Sequence, residues 1–177
     1  MKFIKDILVI HLETTGPKEE RDSILQLSAV LLDKDNLLEK NFFNKHIKVS
    51  FLEAKVKEHA DKLDIPFEQL KQSPKVAEVI KEFVQEFDYT PLLAFHSLKH
   101  YLFLKQAFKK TLTNFTYDDH VIDIWSLGYI YTISYGLGKI PTLTTLAEYF
   151  NIPIDEPNNA LIKARASAQI LRKIILG

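Results

Sequence analysis

The stretch Ile7-Leu8-Val9-Ile10-His11-Leu12-Glu13-Thr14-Thr15-Gly16 constrains this chain more than any other. Six apolar or neutral residues run without a break and stop at a charged, glycine-terminated corner. A run that short, bounded by a turn, predicts a strand buried on both faces. His11 and Glu13 are two apart, so their side chains leave the same face of that strand. Thr14, Thr15 and Gly16 then offer small side chains and a permissive backbone, where another molecule can approach closely.

The chain that follows can be read in order. Pro17 to Asp22 is a charged connection, and Ile24 to Asp33 reads as a second apolar strand. The cluster Asp33-Lys34-Asp35-Asn36 predicts a turn, and Leu37 to Val49 alternates as a half-exposed third strand does, with Phe43 and Ile47 among polar residues. Residues 51–73 are charged, carry Pro66, and read as a short helix and a loop. Pro74 opens the clearest helix: Val76, Val79, Ile80, Phe83, Val84 and Phe87 form one apolar face. Leu92 to Phe95 is a short buried strand with His96 and Ser97 at its tip, and Ser97 is placed to cap the next helix. A further strand at Val121 to Ile124 makes this a parallel, right-handed crossover. Gly136 and Gly138 mark a loop, and Pro141-Thr142 opens a helix with Leu143, Leu146, Ala147 and Phe150 inward. Asn151 to Pro157 is a loop, and the last helix starts near Asn159, with Ala160, Leu161, Ala164, Ala168, Leu171 and Ile175 inward.

This order resembles that of the DnaQ-like 3′–5′ exonucleases of the DEDD superfamily, and the motifs carry the resemblance. His11-Leu12-Glu13-Thr14-Thr15-Gly16 is similar to the family's Asp-x-Glu-Thr-Thr-Gly, and Ile24 to Val30 to its Ile-x-Glu-Ile-Gly-Ala-Val. Leu63 to Leu70 matches a Thr-Gly-Ile-Thr-x-Glu-x-Leu segment, with Asp64 in place of the glycine. His96-Ser97-Leu98-Lys99-His100-Tyr101 resembles His-Asn-x-x-Phe-Asp, and Asn158 to Ala164 resembles His-x-Ala-x-x-Asp-Ala. Val121-Ile122-Asp123 looks like the short strand before an aspartate that holds structure. The resemblance spans roughly residues 6 to 175. It implies an α/β, ribonuclease H-like fold: a five-stranded mixed sheet, three antiparallel strands then two parallel ones, flanked by helices. With no linker or repeat, residues 1–177 read as a single domain.

In that family the motif carboxylates hold two magnesium ions and a histidine serves as general base. Two-metal hydrolysis needs carboxylates clamping two hard cations about 4 Å apart. On the matched positions this chain has His11, Glu13, Tyr101, Asn158 and Lys163, so Glu13 is the only retained ligand. The expectation is a catalytically degenerate domain, a pseudo-exonuclease, that needs no cofactor and serves as a binding or scaffolding module. Lys163 is expected to pair with Glu13 where the metals would sit; at ~4 Å and an effective dielectric of about 20 that attraction is roughly 4 kcal/mol before desolvation. The bland role for Tyr101 is packing beneath its helix. The alternative is an active exonuclease on DNA or RNA with unusual ligands: His11, Glu13 and His96 holding zinc or manganese, with Asp155 and Glu156 swinging inward, or magnesium if activity persists.

Charge bears on partners. Twenty-three basic residues balance 23 acidic ones, which argues against tight nonspecific nucleic-acid binding by the chain as a whole. Basic residues still gather after the second motif (Lys99, Lys105, Lys109, Lys110) and on the last helix (Lys163, Arg165, Arg172, Lys173), and Phe95, Phe103, Tyr129, Tyr131 and Tyr135 are candidates to stack bases. Solvated lysines and buried aromatics are the favoured reading of both sets. Single-stranded nucleic acid, met by Thr14, Thr15 and His96, therefore stays open as a partner, as do a protein partner or a homodimer. There is no cysteine, no apolar run long enough for a bilayer, and Met1 to Asp6 is too short and charged for a signal peptide. The expectation is a soluble cytoplasmic protein.

Overall fold

The computed structural model describes residues 3–49, 53–136, 138–156 and 158–177. A five-stranded sheet in the order β3-β2-β1-β4-β5 forms its centre. Strand β1 (Ile7–Thr14) pairs antiparallel with β2 (Ile24–Leu32), which pairs antiparallel with β3 (Glu39–His46). On its other edge β1 runs parallel to β4 (Leu92–Phe95), which runs parallel to β5 (Ile122–Asp123). This is the expected mixed sheet, with helices on both faces.

The apolar run of β1 explains its central position, because each face meets its own core. Leu8, Ile10 and Leu12 pack with Phe83 of α3 (Val76–Glu86) and with Phe103 and Phe108 of α4 (Leu98–Lys110). Ile7 and Val9 pack with Ala164, Ile170 and Leu171 of the C-terminal helix (Ala160–Leu176). Alternation then places His11 and Glu13 on the Ile7 and Val9 side, where β1 ends. A register shift between Glu13 and Thr14 breaks the ladder with β2 at that point and starts the corner.

Several elements differ from the sequence expectation. Strand β3 starts two residues late because the turn extends to Leu38: Leu37 takes a positive φ of 57°, its N–H donates to the Asp33 carbonyl at 2.8 Å, and the Asn36 side chain accepts from the Leu38 N–H at 2.8 Å. The 51–73 segment contains two helices, α1 (Glu53–Lys62) and α2 (Phe67–Gln72), whose described residues Val56, Ala60 and Leu70 bury against Leu25; residues 51 and 52 lie outside the described residues. Asp64, between them, adopts φ 55°, a conformation that aspartate tolerates better than most residues. Ser97 sits at the N-cap of α4, but its side chain makes no capping bond.

The largest departure follows Asp123. The fifth strand, expected over Val121 to Ile124, is only two residues long, and the chain turns at once into helix α5 (Ile124–Ser134), which the sequence reading missed. Asp123 caps it, its Oδ1 accepting from the Trp125 N–H at 3.1 Å. Gly128 lets it approach α6 (Leu143–Tyr149): a Cβ at position 128 would lie 2.7 Å from a Leu146 methyl. The remaining helix, α7, is the C-terminal one, and it is capped by Asn159, which accepts from the Leu161 N–H at 2.9 Å. Pro157, at the end of the expected loop before it, lies outside the described residues. Among the described residues no helix is long and apolar enough to cross a membrane.

Candidate functional site

The end of β1 carries two polar side chains into the interior. His11 and Glu13 are only 9% and 8% exposed. Burying a carboxylate costs several kcal/mol unless a cation accompanies it, and α7 supplies one. Lys163 Nζ donates to Glu13 Oε1 at 2.6 Å across 150 residues of sequence. One buried amide contact ties the start of α7 to β2, and a second orients the amide that makes it. Gln26, opposite Glu13 in the ladder, accepts from the Ala160 N–H at 3.3 Å and donates to Asn44 Oδ1 at 2.8 Å.

His11 Nε2 lies 3.4 Å from the same Glu13 oxygen. Its ring meets the ring of His100 edge-on, with centroids 4.2 Å apart. Burial pushes both imidazoles well below the ordinary range, and nearby positive charge reinforces it: Lys163 and Lys99 act on His11, while His11 and Lys99 act on His100. Both are therefore neutral at physiological pH. Lys99 is itself lowered by partial burial, opposed by the Glu13 charge and reinforced by Lys163. The Nδ1 atoms of His11 and His100 are buried without a hydrogen-bond partner.

The structure thus brings His11, Glu13 and Lys163 together and adds His100 and Lys99, which sequence reasoning did not place there. Tyr101, expected at this point, is turned away. Its hydroxyl donates to Asp119 at 2.9 Å, and its ring packs against Phe95 and Phe115. The reason is the rotation of α4 about its axis. His100, Phe103, Leu104, Ala107 and Phe108 recur at i, i+3, i+4, i+7 and i+8 and are all buried, so the core fixes His100 inward and leaves Tyr101 at the margin. That stripe was readable in the sequence and would have identified His100.

The other named residues lie around this centre. Asn158 donates to Asp64 Oδ2 at 2.8 Å and lines a cavity of about 440 Å³ with Gln26, Asn44, His46, Gln69, Asp155 and Glu156. Asp155 and Glu156 therefore face this cavity, and Glu156 also accepts from the Asn159 side chain at 2.9 Å. Thr14 Oγ1 donates to the Gly16 carbonyl at 2.8 Å, and Thr15 Oγ1 accepts from the Ser23 N–H at 2.9 Å, so both hydroxyls hold the corner. Gly16 has no room for a side chain, since a Cβ there would fall on the Asp22 carboxylate. His96 is buried beside a separate cavity of about 420 Å³ shared with Leu98, Asp123 and Trp125. Burial lowers its basicity, opposed by Asp123 and by a hydrogen bond to the Pro141 carbonyl. Among the described residues, no group of three or more histidines and carboxylates is placed to hold a metal ion.

Half of the eight basic candidates are committed, Lys163 to Glu13 among them. Lys105 pairs with Asp119 at 2.7 Å, Arg165 forks onto Glu39, and Lys110 donates to the backbone carbonyls of Glu19 and Glu20. Of the aromatic candidates, Phe95 and Phe103 are in the core, while Tyr129 and Tyr135 are exposed.

Comparison with known proteins agrees with this architecture. The family model described as Exonuclease matches residues 8–171. DNA polymerase III PolC-type of Bacillus subtilis (strain 168) is 29% identical over 170 residues, covering 95% of this chain and 11% of that protein, so the chain spans about a ninth of the length of this relative. The nuclease domain of 3′hExo, described as a DEDDh family member bound to rAMP, superposes with a TM-score of 0.83 at 16% identity, covering 99% of this chain and 94% of that one. Exonuclease I of E. coli, solved in complex with a dT13 oligonucleotide, superposes with a TM-score of 0.80 at 12% identity, covering 96% of this chain and 41% of that one.

Proposed function

Taking as premise that this chain belongs to the DnaQ-like 3′–5′ exonuclease family, we propose that it is a pseudo-exonuclease: the fold is kept, the two-metal reaction is gone, and the domain works in the cytoplasm as a binding or scaffolding module for single-stranded nucleic acid. The observation that carries this reading is the 2.6 Å contact between Lys163 and Glu13. The one motif carboxylate at the end of β1 already has its counter-charge.

The donor set does not fit the family's magnesium pair. Magnesium demands oxygen ligands in near-octahedral geometry, whereas the groups that meet at Glu13 are an ammonium and an imidazole, with a second imidazole behind it. A divalent ion placed there would face the Lys163 charge at close range, in a region where water screens poorly. Strand binding is supported by the oligonucleotide and nucleotide held by the two structural relatives. The second reading, an exonuclease with unusual ligands, draws on the unpartnered ring nitrogens of His11 and His100, since imidazole suits zinc and manganese.

A 3′-end degradation assay separates the two. Labelled single-stranded DNA and RNA are incubated with the protein in magnesium and in manganese, and the expected outcome is intact substrate in every lane. Loss of 3′-terminal nucleotides that stops with a chelator would overturn the proposal. Binding is read by fluorescence anisotropy of the same oligonucleotides, with affinity falling steeply as salt rises; undetectable or salt-independent binding rejects the nucleic-acid role. A variant carrying His11→Asp, His100→Asp, Asn158→His and Lys163→Asp, with position 100 chosen on the observed rotation of α4, is expected to gain metal-dependent activity.

A further inference from the structure

Helix α5 turns an apolar face to solvent. Helix α5 contains no charged residue along its eleven positions, and its solvent side is apolar: Trp125, Tyr129 and Ile133 recur at i, i+4 and i+8 with Ile130 beside them, all between 39% and 64% exposed. The Trp125 and Tyr129 rings are stacked, with centroids 5.4 Å apart and planes 11° from parallel. Across the 420 Å³ cavity at the start of α5 the stripe continues onto α4, where Leu98 and Leu102 are also about half exposed.

We propose that this α5 face is a homodimer interface, occupied by the same face of a second copy of this chain. Two observations support a second copy as the occupant. The first is area. With an aromatic side chain carrying about 150–250 Å² and an aliphatic one somewhat less, these six side chains expose on the order of 600 Å². That lies at the top of what an ordinary monomer shows in one patch. It also matches the apolar share, about 65%, of the roughly 800 Å² that one partner contributes to a standard interface. The second is charge. A charged partner finds nothing on α5 to pair with, whereas a copy offers an equally uncharged stripe. The chain's 23 basic and 23 acidic residues leave no net repulsion between copies. A two-fold axis near Tyr129 sets the stripe against itself, so each contact forms twice.

The test uses the fact that Trp125 is the only tryptophan in the chain. Light scattering after size exclusion, run from low micromolar to several hundred micromolar, should give the dimer mass at the upper end. The Trp125 emission should shift to shorter wavelength over the same range as its exposed ring becomes covered. Ile133→Glu, at a position too exposed to matter for folding, should raise the dimer dissociation constant by about a hundredfold, and Tyr129→Lys should do the same with unchanged circular dichroism. A monomer at every concentration overturns the proposal, as does a dimer that both variants leave intact. Quenching of Trp125 in a strictly monomeric protein by a dT10 oligonucleotide would instead assign the face to nucleic acid, and would also overturn it.

Discussion

Removing the Lys163 ammonium alone tests the electrostatic reasoning most directly. In Lys163→Met the methionine keeps most of the stem's packing while Glu13 loses a partner at 2.6 Å. The two side chains are 19% and 11% exposed, so the pair belongs with buried ion pairs, where losing one partner costs about 3–5 kcal/mol. Lys99 remains close enough to act on Glu13, which moves the expectation below that range, to about 2–3 kcal/mol. For a chain of this size each kcal/mol shifts Tm by about 2–4 °C, so a drop of about 5–10 °C should be seen. The double variant Glu13→Gln, Lys163→Met should return to within ~1 kcal/mol of the parent, because removing both charges leaves nothing stranded. The coupling in that cycle should be about 2 kcal/mol, read by urea unfolding. The internal control is Lys62, which meets Glu58 at the same 2.6 Å distance but with both side chains more than 60% exposed; Lys62→Met should cost less than ~0.5 kcal/mol. If Lys163→Met were as mild as Lys62→Met, burial would not be what gives the pair its strength.

Two further outcomes follow from the same structure. His11 and His100 are held well below their ordinary value of 6.5, so the unfolded chain takes protons that the folded one refuses; stability is fully present above about pH 6.5 and is lost as pH falls below it. The slope should reach about 1.4 kcal/mol per pH unit for each ring, and urea titrations between pH 7.5 and 5 should show it flatten by one proton in His11→Gln and again in His11→Gln, His100→Gln; an unchanged slope refutes the assignment. Asp123→Ala removes the acceptor at the start of α5 and should cost about 1–2 kcal/mol, with Asp123→Asn recovering at least half; thermal unfolding that does not distinguish the three would show that α5 is held by packing alone.

The parts legible in the sequence were those where burial is one-sided and periodic. The α3 stripe from Val76 to Phe87, the run of β1 and the inward face of α7 each declare their element through spacing, whereas the five-stranded mixed sheet came from the resemblance to the exonuclease family. Helix α5 was not legible because it lacks that asymmetry: Ile124 to Ser134 is apolar and aromatic on every side, so no period distinguishes its core face from its exposed one. The site was readable in part for a related reason. His11 and Glu13 share a face by strand geometry, and the opposite charge of Lys163 supplied its partner. His100 was displaced by one residue in the motif comparison, because the direction in which a helical side chain points depends on how the whole helix rolls into the core. Asp64 adopts a φ of 55°, a conformation open to glycine and tolerated by aspartate, which residue identity alone does not convey.

The cover over Ile7 and Val9 has a consequence for how the protein is made. The sheet face they belong to is closed largely by Ala164, Ile170 and Leu171, which the ribosome adds about 150 positions later. At roughly 5–20 residues per second, the first three strands, complete at His46, wait about 6–25 s for Leu171 with one greasy side still wet. Synthesis that stalls before codon 160 leaves a nascent chain in that condition, and a holding chaperone has its clearest target there.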